Sequence, residues 1–94
     1  MIFESDKTMF EIYREGDFNK KFRVVYFTEL DEHNKESEIN HALLGDPVFS
    51  GFLKDESKAE GRLIIDEIIR QMNEKGVAYT EEEIKGRLGS FLAN

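Results

Sequence analysis

The sequence lacks cysteine altogether, and it holds one proline and no long hydrophobic run. Without thiols the chain cannot form a disulfide, a thiolate metal site, a cysteine nucleophile or a redox-active thiol pair. A chain of this kind suits a reducing compartment, so we expect a cytoplasmic protein. Nowhere do the roughly 18 consecutive apolar residues of a membrane-spanning helix occur. The N-terminal stretch MIFESDKTMFE is charged and has no apolar core, so no secretory signal peptide is predicted.

Several motifs of catalytic and nucleotide-binding proteins are also missing. The sequence contains neither G-x-x-x-x-G-K-[ST] nor G-x-G-x-x-G, so neither of these phosphate-binding loops is predicted. No serine lies in the G-x-S-x-G pattern of a nucleophile elbow. The chain offers only two histidines as imidazole bases. We therefore expect no catalytic activity and no cofactor.

Acidic side chains outnumber basic ones by 20 to 13, which gives a formal net charge of −7 at pH 7. The excess is spread along the chain and forms no acidic tail. A diffuse negative field repels nucleic-acid phosphates and anionic lipids. We therefore expect neither nucleic acid nor a membrane as a partner.

One small basic cluster runs against this overall charge. It consists of Arg14, Lys20, Lys21 and Arg23, with Phe18 between them. An aromatic ring among basic residues on strands is one way to hold single-stranded nucleic acid. The N-terminal segment around it is acidic overall, however, which favours a solvated turn that protects the sheet edges.

The N-terminal third of the chain alternates apolar and polar residues with the period of two that is typical of β-strands. Residues 8–15 and 22–30 are rich in β-branched and aromatic side chains, and the stretch GDFNKK between them has the composition of a turn. These features predict a β-hairpin, with residues 2–4 as a further candidate strand. Because two strands alone are marginal in water, the hairpin is expected to pack on the rest of the chain.

The rest of the chain follows the 3.6-residue spacing of helices. Four helices are predicted, at about 35–44, 47–54, 57–75 and 80–92. In the first, Ile39 and Leu43 form an apolar stripe at i, i+4 spacing, which we expect to face the core. The second depends on Asp46 and Pro47, which form a strong helix-start signal, and a loop is the alternative.

The last two predicted helices carry clear boundary signals. Ser57 and Glu60 have the spacing of a capping box, in which each side chain bonds the backbone N–H of the other residue. Thr80 and Glu83 repeat this spacing, and Gly76 is a stop signal after the third helix. Strands followed by helices indicate an α+β fold. The length suits one small globular domain over the whole chain, 1–94.

Both histidines lie in the acidic stretch DEHNKESEINH, residues 31–41. Glu38-x-x-His41 is half of the motif of di-iron carboxylate bundles, which need a second copy and two further glutamates. On the predicted helix His41 falls about 200° from Ile39, so we expect it to face solvent. Structural metal sites need three or four converging ligands, and we predict no metal. The alternative is a weak metal or small-ligand site formed by His33, Glu38 and His41.

Two groups of residues are candidates for binding a protein partner. In the FSGFL stretch, Phe49, Phe52 and Leu53 would form an apolar patch if incompletely covered, and core packing is the alternative. On the last predicted helix, Gly86 and Gly89 lie opposite the apolar stripe, so either this helix is loose or the backbone of a partner packs there.

Gly61 on the long helix falls within an isoleucine stripe, where the missing side chain predicts the close approach of a neighbouring element. With no motif for chemistry, the sequence predicts a non-catalytic protein–protein interaction or regulatory module. Its partner is an unidentified protein or a second copy of the chain.

Overall fold

In a computed structural model of the chain, the described residues are 8–15, 21–27 and 30–93, with only the backbone described for 30–34. The fold is α+β, with a four-stranded antiparallel sheet. The elements in chain order are β1 (Thr8–Glu15), β2 (Lys21–Phe27), α1 (Leu30–Leu44), β3 (Phe49–Leu53), α2 (Lys58–Lys75), α3 (Glu81–Leu88) and β4 (Leu92–Ala93). Short 3-10 turns at Asp55–Ser57 and Gly89–Phe91 precede α2 and β4.

The predicted hairpin is confirmed, and it forms one half of the sheet. The strand order is β2-β1-β3-β4, and β1 pairs antiparallel with both β2 and β3. Met9 lies opposite Phe27 and Ile12 opposite Val24, so the alternation read from the sequence also sets the register. The described part of the second strand is Lys21–Phe27; residues 28–29 lie outside the described residues, and Leu30, predicted to be in the strand, is in α1. The candidate strand at residues 2–4 lies outside the described residues.

The predicted helix at 47–54 is wrong, because this segment contains strand β3. Phe49 pairs with Ile12 and Leu53 pairs with Thr8. The edge of β1 that faces away from β2 carries backbone groups that need partners, and β3 provides them. Just before β3, the N–H of Val48 donates to the carbonyl of Ile12 at 2.7 Å. The Asp–Pro start signal describes only local preference, and non-local pairing overrides it.

The two faces of the sheet are covered differently. On one face α2 and α3 pack over alternating side chains of β1, β2 and β3, and this side holds the main core: Phe10, Ile12, Phe22, Phe49, Leu53, Ile65, Ile68, Met72, Tyr79, Ile84 and Leu88. The other face, which includes Met9, Glu11 and Tyr13 of β1, contacts α1. The long helix α2 supplies the broad apolar stripe that its sequence predicts.

The predicted helix boundaries hold in part. The capping box of Thr80 and Glu83 is confirmed, with both reciprocal hydrogen bonds present. Gly76 ends α2 in the left-handed conformation, as expected. The predicted capping box at Ser57 is wrong, because a 3-10 turn leads into α2 and the Ser57 side chain makes no capping bond. Helix α1 begins at Leu30, five residues before the predicted start. Residues 30–34 contain no proline or glycine that would interrupt a helix.

The structure explains the presence of glycine at two positions. A Cβ built on Gly61 would lie 2.8 Å from Cδ2 of Leu53, so the predicted close approach is intramolecular, between α2 and β3. Gly89 has a φ of +51° and ends α3, which is why the predicted helix over 80–92 stops at Leu88. The chain then turns and adds β4 to the edge of β3.

Candidate functional site

Helix α1 lies on the sheet with its polar face inward and its apolar stripe outward. Ile39 is 54% exposed and Leu43 is 76% exposed, whereas Ser37 and Asn40 are half-buried against the sheet. The prediction that the stripe faces the core is therefore wrong. His41, which was expected to face solvent, is partly exposed and also contacts Glu11. The physical reason is that two apolar residues make too narrow a stripe to fix the rotation of the helix, while Glu11 on the sheet attracts hydrogen-bonding side chains.

Glu11 is the polar centre of the contact between α1 and the sheet. It projects from the middle of β1 and is only 3% exposed. The hydroxyl of Ser37 donates to its Oε2 atom at 3.3 Å, and the Nε2 atom of His41 lies 3.5 Å from the same oxygen. Beside them, a guanidinium nitrogen of Arg23 on β2 donates to the side-chain oxygen of Asn40 at 3.4 Å. The described contacts that fix this part of α1 are thus largely polar.

The imidazole of His41 lies between two carboxylates. Its Nε2 atom faces the buried Glu11, and its Nδ1 atom is 3.6 Å from Oδ1 of Asp46, which is fully exposed. The ring also meets the ring of Tyr13 edge-on, with 5.8 Å between centroids. His41 therefore links α1, β1 and the turn before β3.

Two buried oxygen atoms in this region have no hydrogen-bond partner among the described residues: Oε1 of Glu11 and the hydroxyl of Tyr13. Burial raises the pKa of Tyr13 to about 12, and the nearby negative charge of Glu11 adds to the rise. Glu11 and Tyr13 are two residues apart in β1, so their side chains lie on the same face of the sheet. Such incompletely satisfied groups are costly in a buried setting.

Two of the three candidate ligands for a weak metal site have described side chains. Glu38 is exposed on α1 and His41 turns toward Glu11, while the side chain of His33 lies outside the described residues. Across the described part of the chain, no group of three or more histidine or acidic side chains is arranged to hold a metal ion. Nor is a pocket found among those residues.

The predicted partner-binding residues are placed in three ways. Phe49 and Leu53 are buried, so core packing, the alternative reading, accounts for both. Phe52 is half-buried on the opposite face of β3. Gly86 and Gly89 are exposed, and a Cβ on either would meet no other atom within 4 Å. Binding of a partner at Phe52, Gly86 and Gly89 stays a prediction.

The exposed stripe of α1 and the charges beside it form what we call the α1 outer surface. It consists of Lys35, Glu36, Glu38, Ile39, Ala42 and Leu43, all exposed. Within the described residues neither Glu36 nor Glu38 makes an ion pair.

On α2 and α3 some of the exposed acids are paired within the helix. Arg70 bonds both Glu67 and Glu74 on α2, and its hydrogen bond holds the pKa of Glu67 below its ordinary value. On α3, Lys85 pairs with Glu81 at 3.1 Å. Glu82 on α3, like Glu36 and Glu38 on α1, makes no ion pair within the described residues.

Sequence reasoning missed Glu11, Tyr13 and Ser37 as members of one cluster. A signal was present for Glu11, because period two puts it on the same strand face as Met9 and Tyr13, where a lone carboxylate is out of place. No comparable signal identified Ser37, because its position depends on the rotation of α1. That rotation is a tertiary property.

Comparisons with protein-family models, with curated proteins and with solved structures found no match to this chain. None of the helices in the described ranges combines the length and apolar character needed to cross a bilayer.

Proposed function

We propose that the protein is a non-catalytic protein–protein interaction or regulatory module of the cytoplasm, and that the α1 outer surface is its binding site. The observation that carries the proposal is the exposure of Ile39 and Leu43 on adjacent turns of a helix that turns polar residues inward. Apolar side chains that a fold could bury but leaves in water are a feature of interaction sites.

The orientation of α1 on the sheet distinguishes the exposure of Ile39 and Leu43 from that of other apolar surface residues. Isolated exposed apolar residues are ordinary on protein surfaces, and Leu63 on α2 is one, at 70% exposure. Ile39 and Leu43 differ because they lie side by side and Ala42 extends the same face. Burying them against a partner would contribute about 25 cal/mol of favourable binding free energy for each Å² of apolar surface removed from water.

The solvent exposure of His41 and Asp46 beside Glu11 supports a non-catalytic role. Asp46 and much of the His41 ring are in contact with solvent, and Glu11 is covered by α1. Perturbed acid–base pairs of enzymes are typically sheltered together in one pocket. In the structure His41 contacts Glu11 and Asp46. The alternative of weak metal or small-ligand binding through His33, Glu38 and His41 stays a prediction.

Affinity capture with matched variants tests the proposal. The wild-type protein, the double variant Ile39→Ser/Leu43→Ser and the control Leu63→Ser are immobilised and exposed to extract of the source cell. We expect a stoichiometric partner that the wild type and the Leu63 variant retain and that the α1 variant loses at least tenfold. All three proteins should unfold at similar temperatures, since the altered side chains are exposed.

A partner retained equally by all three proteins would contradict the α1 outer surface as the site. Sedimentation velocity of the wild type, run alongside, distinguishes a second copy as the partner. A protein that stays monomeric and captures nothing stoichiometric would overturn the proposed function itself.

A further inference from the structure

We infer that the outer edge of β2 is a second binding surface, which takes an extended peptide segment of a partner as an added antiparallel strand. The surface consists of the outward-facing backbone groups of Val24 and Tyr26, and it shares no residue with the α1 outer surface. The inference goes beyond the proposed function and does not depend on it. It follows from one hydrogen-bonded contact, between Asn73 and Phe22.

Asn73 of α2 shows which backbone groups of β2 face outward. The N–H of Phe22 donates to Oδ1 of Asn73, and Nδ2 of Asn73 donates to the carbonyl of Phe22. Both groups of Phe22 therefore point away from β1. In an antiparallel sheet the residues of a strand alternate in the edge to which their N–H and C=O groups point. The same groups of Val24 and Tyr26 thus face outward as well.

The four outward groups of Val24 and Tyr26 are open in the part of the chain that the structure describes. β2 is the first strand in the order β2-β1-β3-β4, so no described strand lies beyond it. No described side chain bonds to the backbone of either residue. Both side chains are half-buried on the α2 side of the sheet. An added strand would therefore meet two donors, two acceptors and a partly apolar edge.

The group already bound to this edge identifies the chemistry of the occupant. A side-chain amide carries the donor and the acceptor of a peptide bond, and Asn73 presents both to one residue. Opposing residues of an antiparallel pair exchange both hydrogen bonds in the same way. An extended segment antiparallel to β2 would repeat this contact at Val24 and Tyr26, and it would end where Asn73 lies beside Phe22. Strand addition to an open sheet edge is a general mode of peptide recognition.

Charges of both signs flank the open edge, so they do not define the segment. Arg23 pairs with Glu15 at 3.0 Å. Arg62 lies over the ring of Tyr26 at 4.2 Å, and Asp66 accepts a hydrogen bond from the hydroxyl of the same residue. Selection therefore comes from the backbone and from the apolar side chains of the edge, which pair well with β-branched residues on a neighbouring strand.

A second copy of the chain fits this edge poorly. Helix α2 runs along β2, with contacts at Phe22 and at Tyr26. Two copies paired antiparallel through β2 would hold both α2 helices on the same face of the joined sheet. Neighbouring strands lie about 4.8 Å apart, whereas packed helices need roughly 8–10 Å between their axes. The net charge of −7 also opposes the pairing, so the occupant is a segment of another protein.

The test uses a six-residue peptide of alternating valine and threonine with blocked ends. In the open-edge peptide every threonine is N-methylated, which leaves the hydrogen-bonding edge of the valines and prevents aggregation. In the blocked peptide every residue is N-methylated, so it has the same side chains and no N–H donor. Binding to the full chain is followed by backbone amide NMR shifts and by deuterium exchange.

The expected result is protection that alternates along β2. The open-edge peptide, at about ten times its dissociation constant, should slow exchange of the Val24 and Tyr26 amides about tenfold. The blocked peptide should leave both unchanged. The amide of Val25 points to β1 and should exchange at the same rate with either peptide. Side-chain contact alone would not produce this alternation.

Variants at the edge should have opposite effects. Val24→Pro replaces one outward N–H by the proline ring, which an edge strand tolerates, and should weaken binding at least tenfold. Asn73→Ala uncovers the two groups of Phe22 and should strengthen binding about threefold to tenfold, with new protection of Phe22. The control Glu60→Ala, at an exposed residue near the start of α2, should bind like the wild type. Asn73→Ala tests the inference by itself if Val24→Pro does not fold.

The contrary results are distinct, and each overturns the inference. Val24 and Tyr26 amides that exchange as slowly as that of Val25 without peptide would mean that another part of the chain covers the edge. Equal effects of the two peptides, or of Asn73→Ala and Glu60→Ala, would exclude backbone pairing. Shifts confined to the α1 outer surface, or no protection at millimolar peptide, would remove the site. A dimer that Val24→Pro dissociates would identify a second copy as the occupant.

Discussion

The side-chain amide of Asn73 on α2 bonds both backbone groups of Phe22 at the outer edge of β2. The N–H of Phe22 donates to Oδ1 of Asn73 at 2.6 Å, and Nδ2 of Asn73 donates to the carbonyl of Phe22 at 3.1 Å. Because β2 is an edge strand of the sheet formed by the described residues, these groups would otherwise be open to pairing with another strand. One side chain thus takes the place of a neighbouring strand at this point.

Replacing Asn73 with alanine should therefore destabilise the protein and expose the edge. The variant Asn73→Ala loses two hydrogen bonds, and we expect the free energy of unfolding in urea to fall by about 1–2 kcal/mol. Asn73→Asp keeps the acceptor for the N–H of Phe22 and loses only the donor to its carbonyl, so it should fall in between. An Asn73→Ala protein as stable as the wild type would show that water replaces the amide without cost.

Alanine substitutions at two helical glycines should have opposite effects. Gly61→Ala places a Cβ against the buried Leu53, and we expect a loss of about 1–2 kcal/mol despite the better helix propensity of alanine. Gly86→Ala meets open space on α3 and should gain roughly 0.5–1 kcal/mol. Thermal or urea unfolding measures both. Equal effects of the two substitutions would contradict the close packing of α2 on β3.

The protein should lose stability in alkaline solution, because burial raises the pKa of Tyr13 from 10.0 to about 12. The folded state then holds the phenol proton more tightly than the unfolded state does. This contribution is fully present below pH 10 and is lost as the pH rises toward 12. Burial also raises the pKa of Tyr26, whose hydroxyl donates to Asp66, so its effect has the same sign. Urea unfolding at pH 8, 10 and 11 measures the loss.

The variant Tyr13→Phe tests the buried hydroxyl directly. Because this hydroxyl has no described hydrogen-bond partner, its removal should leave the free energy of unfolding at pH 7 unchanged or raise it by up to ~1 kcal/mol. The variant should also lose less stability than the wild type between pH 10 and 12. A clear loss at pH 7 would instead indicate that the phenol donates to Glu11 in solution.

A double-mutant cycle measures the link between Glu11 and His41. With Glu11→Gln and His41→Gln, we expect a coupling of up to about 1 kcal/mol, because Nε2 of His41 lies 3.5 Å from Oε2 of the buried Glu11. The matched cycle of His41 with Asp46→Asn should show no measurable coupling, since Asp46 is fully exposed. Equal couplings in the two cycles would contradict a specific contact between Glu11 and His41.

The parts of the fold that follow from the sequence are those with strong local patterns. Period two predicts β1 and β2, and the broad isoleucine stripe with Gly76 predicts α2, because many residues agree in each case. The segment Phe49–Leu53 is a strand and not part of the predicted helix at 47–54. The Asp–Pro start signal reflects only local preference, whereas strand pairing with β1 is a non-local interaction.

The candidate site was harder to predict than the fold. The positions of Ile39 and Leu43 on one side of α1 follow from helical spacing, but which side faces the sheet does not. That choice depends on Glu11, which is 28 residues before Ile39 in the chain and reaches α1 only when the hairpin and helix have packed. Single-sequence periodicity carries no information about such a contact.

The polar contacts that Ser37 and His41 of α1 make with Glu11 also affect how the molecule opens. Water competes well for bonds of the kind that Ser37 and His41 make, whereas it does not compete for the apolar contacts of α2. Backbone amides of α1 should therefore exchange with solvent deuterium sooner than those of α2, while the sheet stays closed. Anything that binds across Ile39 and Leu43 would slow that exchange, so protection in one helix would report occupancy without any change in the rest of the fold.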